Sequence, residues 1–414
     1  MSSLSRNPGL RTGRTLAGAF ALLLVRMAHG QTAIVPYAQL IGEWDTNRLL
    51  SPNHSKSGEW GEAQVASDIE HYGPRSELKL RPQMNYQESS YSSLNRFEAS
   101  LNLSALYRTQ RTIYSVSGSY FRQDAYNAEY GVAQFNPYNP GAPDTVGTGE
   151  VVTGITRNSY NLSPDVVHKF TERLSGEFSG DYTEVHYSRQ ITQTLTNFRA
   201  PLVNLYAVYA LSQRSSIGVG PFYQRFDPTD SLESGTLPSQ TYGANISYRY
   251  LTSQLTHSNL NVKVGRTQQD QFLGPARTQT TWGVDWTGVW QMQTSRLQYS
   301  IGRLIEPSSI GGQVSLDQIR VQYNQNLSRR LSASVSARIS RQEALSNGPG
   351  HRDRSYGDAY LRYALTPKWD LTGGYRFAWQ RLPQAVDSTV IYNAAQSHGV
   401  YLSIGYHGIN PYGH

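Results

Sequence analysis

The chain has 414 residues, a formal charge of +7, no cysteine, and 29 tyrosines within a hydrophobic fraction of only 38%. Residues 1–30 hold four arginines and no acidic residue, so 33 basic and 30 acidic residues remain beyond them, a net of +3. That small excess removes the compositional case for nucleic-acid binding. The absence of cysteine removes disulfides and thiolate metal sites, leaving stability to a sheet or core.

In chain order, Arg6, Arg11 and Arg14 followed by the apolar run Leu16 to Val25 read as a secretory signal, with Ala28 and Gly30 as small residues for cleavage before Gln31. The expected division is residues 1–30 as signal peptide and 31–414 as a single domain. The apolar run is too short for a transmembrane helix, which needs about 20 residues, and no later segment exceeds it. A mean hydropathy of −0.52 would suit a polar soluble protein, but a membrane barrel shows only alternate residues of each strand to lipid and is polar on average too. Period-two alternation is therefore the deciding test.

Phe97, Ala99, Leu101, Leu103, Ala105 and Tyr107 alternate with Arg96, Glu98, Ser100, Asn102 and Ser104. Similar outward sets follow at Tyr114 to Tyr120, Tyr242 to Tyr250 and Trp282 to Trp290. The clearest is Leu331, Ala333, Val335, Ala337 and Ile339 against Ser332, Ser334, Ser336, Arg338 and Ser340, and the last is Val400 to Tyr406. The predicted strands are 34–44, 62–72, 75–87, 95–107, 111–123, 157–168, 173–187, 197–211, 214–226, 240–251, 254–266, 280–291, 295–305, 313–327, 330–342, 355–366, 369–380 and 396–407. Sixteen strands stay open as an alternative to eighteen.

Short turns, such as Gly73-Pro74 and Ser328-Arg329, alternate with long polar connections, the longest at 124–156. The fold expected is an all-β, antiparallel transmembrane barrel with periplasmic turns and external loops. A soluble all-β protein explains less well the tyrosine and tryptophan near strand ends, as at Tyr363, Trp369, Tyr375 and Trp379. A weak repeat marks the turns: Leu211-Ser-Gln-Arg214, Leu327-Ser-Arg-Arg330 and Leu365-Thr-Pro-Lys368.

The opening Pro36-Tyr-Ala-Gln-Leu with Glu43-Trp-Asp-Thr-Asn47, the Arg96-Phe-Glu-Ala-Ser-Leu strand and the Leu365 to Tyr375 hairpin carry a resemblance. Over the whole mature length the chain resembles the outer-membrane family called β-barrel porin 2, found beside bacterial exopolysaccharide and exosortase systems. The resemblance implies an outer-membrane barrel serving polysaccharide export or passive permeation, with export components as partners and no particular substrate. The chain departs from the usual barrel ending, because eight residues follow Tyr406. Ile404 and Tyr406 are then the expected recognition residues for the barrel-assembly machinery.

No G-x-S-x-G, H-E-x-x-H or phosphate-binding glycine loop occurs, so no catalytic residue, metal ligand or cofactor is assigned. His168 and His186, with Asp181 or Glu184, form the one weak constellation, read better as solvated histidines. Eighteen strands leave room for a polar lumen. Pleating places Lys79, Arg81 and Glu98 inward beside Asp68 and Glu70. Arg320, Arg338, Arg362 and Arg376 face inward on a late arc with Asp358 and Asp370. Such an arginine ladder suits anionic solutes or acidic sugars, and equally suits simple pairing with the acids. In the long connection, Tyr126, Tyr130 and Tyr138 are candidates for stacking on sugar rings, in a segment that either folds inward or stands outside. The functional reading is a pore or export channel in the outer membrane rather than an enzyme. An interaction barrel docking a secretion partner is the rival, and a barrel hydrolase comes third.

Overall fold

A computed structural model of the protein describes residues 30–51, 57–90, 95–125, 155–188, 195–229, 237–253, 255–270, 275–308, 312–345, 350–386 and 389–409. The expected signal peptide and the three candidate loop tyrosines lie outside these residues. Eighteen strands form one antiparallel sheet: β1 (Gln31–Asp45), β2 (Gly58–Tyr72), β3 (Ser76–Ser89), β4 (Arg96–Arg108), β5 (Thr112–Asp124), β6 (Thr156–Lys169), β7 (Leu174–Tyr187), β8 (Phe198–Ala210), β9 (Ser215–Pro228), β10 (Ser239–Leu251), β11 (His257–Gln269), β12 (Arg277–Gln291), β13 (Ser295–Ser308), β14 (Gly312–Asn326), β15 (Leu331–Ala344), β16 (His351–Ala364), β17 (Trp369–Val386) and β18 (Thr389–His407). Each strand pairs with its chain neighbours, and β18 returns to β1 with Tyr37 opposite His407 and Asp45 opposite Gly399. The barrel is closed, so no sheet edge is left to satisfy in lipid.

The alternation predicted from sequence is the alternation observed. On β15 (Leu331–Ala344), Val335 and Ile339 are exposed while Ser334 and Ser336 between them are buried. Leu40, Val65, Phe97, Ile246, Trp286 and Leu402 likewise stand on the exterior. A girdle of rings marks the short-turn rim: Trp369 meets Tyr406 edge-on at 5.2 Å, and Tyr107 lies 6.5 Å from Tyr114. Toward the opposite rim the exterior carries charge instead. Arg199 pairs with Glu184, Arg225 with Asp227, and Arg341 and Arg381 share Asp353.

The weak repeat at the short turns has a structural cause. Ser212 Oγ accepts hydrogen bonds from the N–H groups of Arg214 and Ser215. Ser328 serves Arg330 and Leu331 in the same way, and Thr366 serves Lys368 and Trp369. Thr171 does so at a turn that lacks the sequence repeat. A short hydroxyl side chain accepting from the backbone two and three residues on is how these residues stabilise tight turns.

Strands extend furthest beyond their predicted bounds on the long-connection side. The predicted loop 381–395 is instead mostly strand, because β17 runs to Val386 and β18 begins at Thr389. Above the bilayer both faces of a hairpin meet water, so strand pairing continues where apolar alternation stops.

Candidate functional site

The inner face of the closed sheet is the candidate site, and strand register fixes which side chains reach it. Lys79 and Arg81 lie inward on β3 (Ser76–Ser89), and Glu98 lies inward on β4 (Arg96–Arg108) opposite Asn85. Lys79 pairs with Glu77 at 2.7 Å, Arg81 with Asp68 at 3.6 Å, and Glu98 accepts from the Asp124 backbone N–H. On this arc each of the two cations has a carboxylate partner.

The late arc is different. Arg320 on β14 (Gly312–Asn326) is the direct cross-strand partner of Arg338 on β15, and Arg338 faces Tyr356 on β16 (His351–Ala364). Arg354 is two residues from Tyr356 on the same face and stands opposite Ser340. Like charges directly opposed on neighbouring strands destabilise a sheet, which sets this pair apart from a wall built only for solubility.

Arg362 and Arg376 belong to ion pairs. Arg376 donates to both carboxylate oxygens of Glu43, at 3.0 and 3.1 Å, lies 3.6 Å from Asp358, and stacks over Tyr401. Tyr401 donates to the same Asp358. Arg362 pairs with Asp370 at 3.0 Å, and His407 also bonds Asp370. Thus Arg362 and Arg376 follow the pairing alternative, while the ladder reading rests on the cross-strand register that sets Arg320 against Arg338.

Sequence reasoning passed over the other half of the Arg376 knot. After β1 the chain folds back along the inner wall: Asn47 N–H donates to Asp45, Arg48 pairs with Glu43 at 3.1 Å and lies 4.0 Å above the Trp60 ring, and Gln380 donates to the Leu50 carbonyl. Leu50 adopts φ +47°, a left-handed conformation unusual for a leucine. Burial of its side chain against Ala378, Ala395 and Tyr356 holds it there. Length and polarity made 45–61 read as a plain external connection; the signal that could have been used is Arg48-Leu-Leu50, a base and two apolar residues in an otherwise polar loop.

Two more structures narrow the inner wall toward the long-connection rim. Phe198 and Phe226 stack 5.3 Å apart within an apolar cluster with Ile155, Val185 and Leu195, inside the long-connection rim of β6 to β9. The outer arms of the β13–β14 hairpin are buried on both faces from Glu306 to Ser308 and from Gly312 to Leu316, unlike lipid-facing strands.

His168 and His186 do not meet. His168 bonds Thr112 near the short-turn rim opposite Gly176, whereas His186 sits at the other end of its hairpin opposite Asn158, bonded to Glu184 on the exterior. Asp181 faces the lumen, bonded to Asn161 and Ser163.

A closed antiparallel barrel with an apolar, girdled exterior and a polar, charged interior is a membrane-spanning barrel. No family model matches the sequence, and no curated protein matches it. Solved structures align over most of their lengths at low identity. OccK2 (OpdF) of Pseudomonas aeruginosa in complex with glucuronate aligns at 9% identity and TM-score 0.44, covering 91% of this chain and 98% of that one. OccK5 (OpdH) of the same organism gives 9% and 0.41 with the same coverage. The FrpB iron transporter of Neisseria meningitidis gives 7% and 0.42, covering 93% and 83%. The fold assignment rests on the strand pairing of the chain itself.

Proposed function

We propose that the protein is a passive pore of the bacterial outer membrane that admits small anionic solutes along the inner wall of β14, β15 and β16. The observation that carries this reading is the directly opposed Arg320–Arg338 pair, with Arg354 close by, in a polar lumen. Guanidinium groups suit carboxylates and phosphates because their planar N–H groups form paired, charge-assisted hydrogen bonds. A small acidic sugar is the solute class that best matches arginines flanked by Tyr356 and by serines such as Ser334 and Ser336.

The finer possibility, export of an acidic exopolysaccharide, is supported by the family resemblance alone. It requires a bore free along its length, and the inner wall is crowded by the Thr46–Ser51 fold-back, the Phe198–Phe226 cluster and the β13–β14 arms. Small solutes fit that geometry better.

Planar-bilayer recording of the refolded barrel tests the proposal. Under a salt gradient, the reversal potential is expected on the anion-selective side, and Arg320→Gln with Arg338→Gln moves it toward zero or beyond. Absence of steady conductance overturns the pore. Unchanged selectivity in the double variant overturns the role of the arginine pair.

A further inference from the structure

At the β12–β13 seam the wall departs from a continuous ladder over the outer part of both strands. β12 (Arg277–Gln291) and β13 (Ser295–Ser308) pair from Gln291–Arg296 up to Val284–Arg303 and no further, although both strands continue. Above that point β13 stays with β14, which stays with β15 as far as Val314–Ala344. The arms lean into the lumen and lie against the inner wall of β10 and β11. Gln313 bonds Thr241 of β10 at 2.8 Å, and an ideal Cβ on Gly312 would lie 3.8 Å from Gln269 of β11. Behind them, Gln279 of β12 donates to the Leu345 carbonyl at the end of β15. Glu306 interacts electrostatically with Lys263, which faces inward on β11.

Several features make this arrangement switchable. On the side facing β10 to β12 the tip is held by side-chain bonds and not by a backbone ladder. The register of the existing ladder has an unused continuation, Gly283 opposite Leu304, Thr281 opposite Glu306 and Thr280 opposite Pro307. Pro307 has no N–H and so weakens that continuation. Gly312 supplies φ +98° at the tip of the β14 arm, opposite Ser308. Leu316, Gln318 and Arg320 share one face of β14, so the tucked arm stands directly above the arginine pair.

We infer that the β13–β14 hairpin is a gate: tucked against Thr241 it obstructs passage to Arg320 and Arg338, and zipped onto β12 in the register Thr280–Pro307 it opens that passage. This rests on the pore reading. Zipping exchanges side-chain bonds for backbone pairs across the seam, the kind of exchange that a two-state element makes.

The chain has no cysteine, so introduced thiols report cleanly. Thr241→Cys with Gln313→Cys, bridged by a short bifunctional methanethiosulfonate, locks the tucked state. Thr280→Cys with Pro307→Cys forms a disulfide in the zipped state, where paired Cα atoms stand about 4.5–5.5 Å apart, within the range a disulfide accepts. In the tucked state Thr280 is exposed on the exterior and Pro307 is buried. Both cross-links are scored by mass spectrometry in proteoliposomes, independently of current.

The bridged Thr241/Gln313 barrel is expected to lose most of its conductance and its stepwise fluctuations, with both restored by reductant. The oxidised Thr280/Pro307 barrel is expected to hold the largest conductance state without closures. Failure of the Thr280/Pro307 disulfide to form overturns the gate, as does equal conductance in both cross-linked barrels. Formation of each cross-link in its own variant, with no current in any state of either variant or of wild type, overturns the pore instead.

Discussion

Among single residues, Arg376 and Arg338 test what a lumen charge is for. Arg376 bridges Glu43 and Asp358, two carboxylates that are each nearly buried. Removing the cation leaves both without their shared partner, and breaking a buried pair costs about 3 kcal/mol or more. Arg376→Gln is therefore expected to lower the urea midpoint of the refolded barrel by an amount equivalent to about 3 kcal/mol, read from tryptophan fluorescence. Replacing Glu43 and Asp358 together with Gln and Asn in that background should recover part of the loss. Arg338→Gln stands on the other side: it removes a like charge facing Arg320, which offsets the loss of the contacts Arg338 itself makes, so stability should stay within about 1 kcal/mol of wild type. Equal losses for the two variants would contradict the division between knot and ladder. The sequence placed both arginines inward by counting pleats, and the register agrees. It did not reveal that they play different parts, because Glu43 lies 333 positions from Arg376 and meets it only through barrel closure.

At the level of strands and turns, the alternating pattern carried most of the fold. Strand starts and ends on the short-turn side sit within about two or three residues of their predicted places, because there the apolar pattern, the girdle and the turn residues end together. On the other side the pattern fades before the pairing does, which is why 381–395 was misread. The inward lean of the β13–β14 arms is invisible in sequence for a related reason: Gln313, Val314, Ser315 and Leu316 still alternate in polarity, and only burial on both faces and the interrupted β12–β13 ladder distinguish the arms. Two substitutions test the strand and turn physics separately. Val335→Arg puts a charge on the exterior face of β15, near mid-strand, and should cost about 2–4 kcal/mol. Ser328→Ala leaves the Arg330 and Leu331 N–H groups without their acceptor, at about 1 kcal/mol given their access to water. Loss of the heat-modifiable folded band on gels at lower urea, larger for Val335→Arg, is the expected ordering.

For the whole molecule, the two rims differ in chemistry, and that difference predicts orientation. The rim of short turns is girdled by rings such as Trp369, Tyr406, Tyr107 and Tyr114 and closed by hydroxyl-capped turns. The rim of long connections carries the exterior arginine–carboxylate pairs and holds the inward-folded segments. In barrels of this architecture short turns face the periplasm and long connections the outside, and exterior arginines then lie level with the anionic sugar and phosphate groups of the outer leaflet, where charge-assisted pairing is available to them. An epitope inserted at 346–349 should be labelled on intact cells. The same epitope inserted at 366–368 should be labelled only after the outer membrane is permeabilised, with both variants retaining the folded band as a control for assembly. The reverse labelling pattern would invert the molecule, putting the β13–β14 arms and the approach to Arg320 on the periplasmic side, and solute would then meet the arginine pair before the gate when entering from outside.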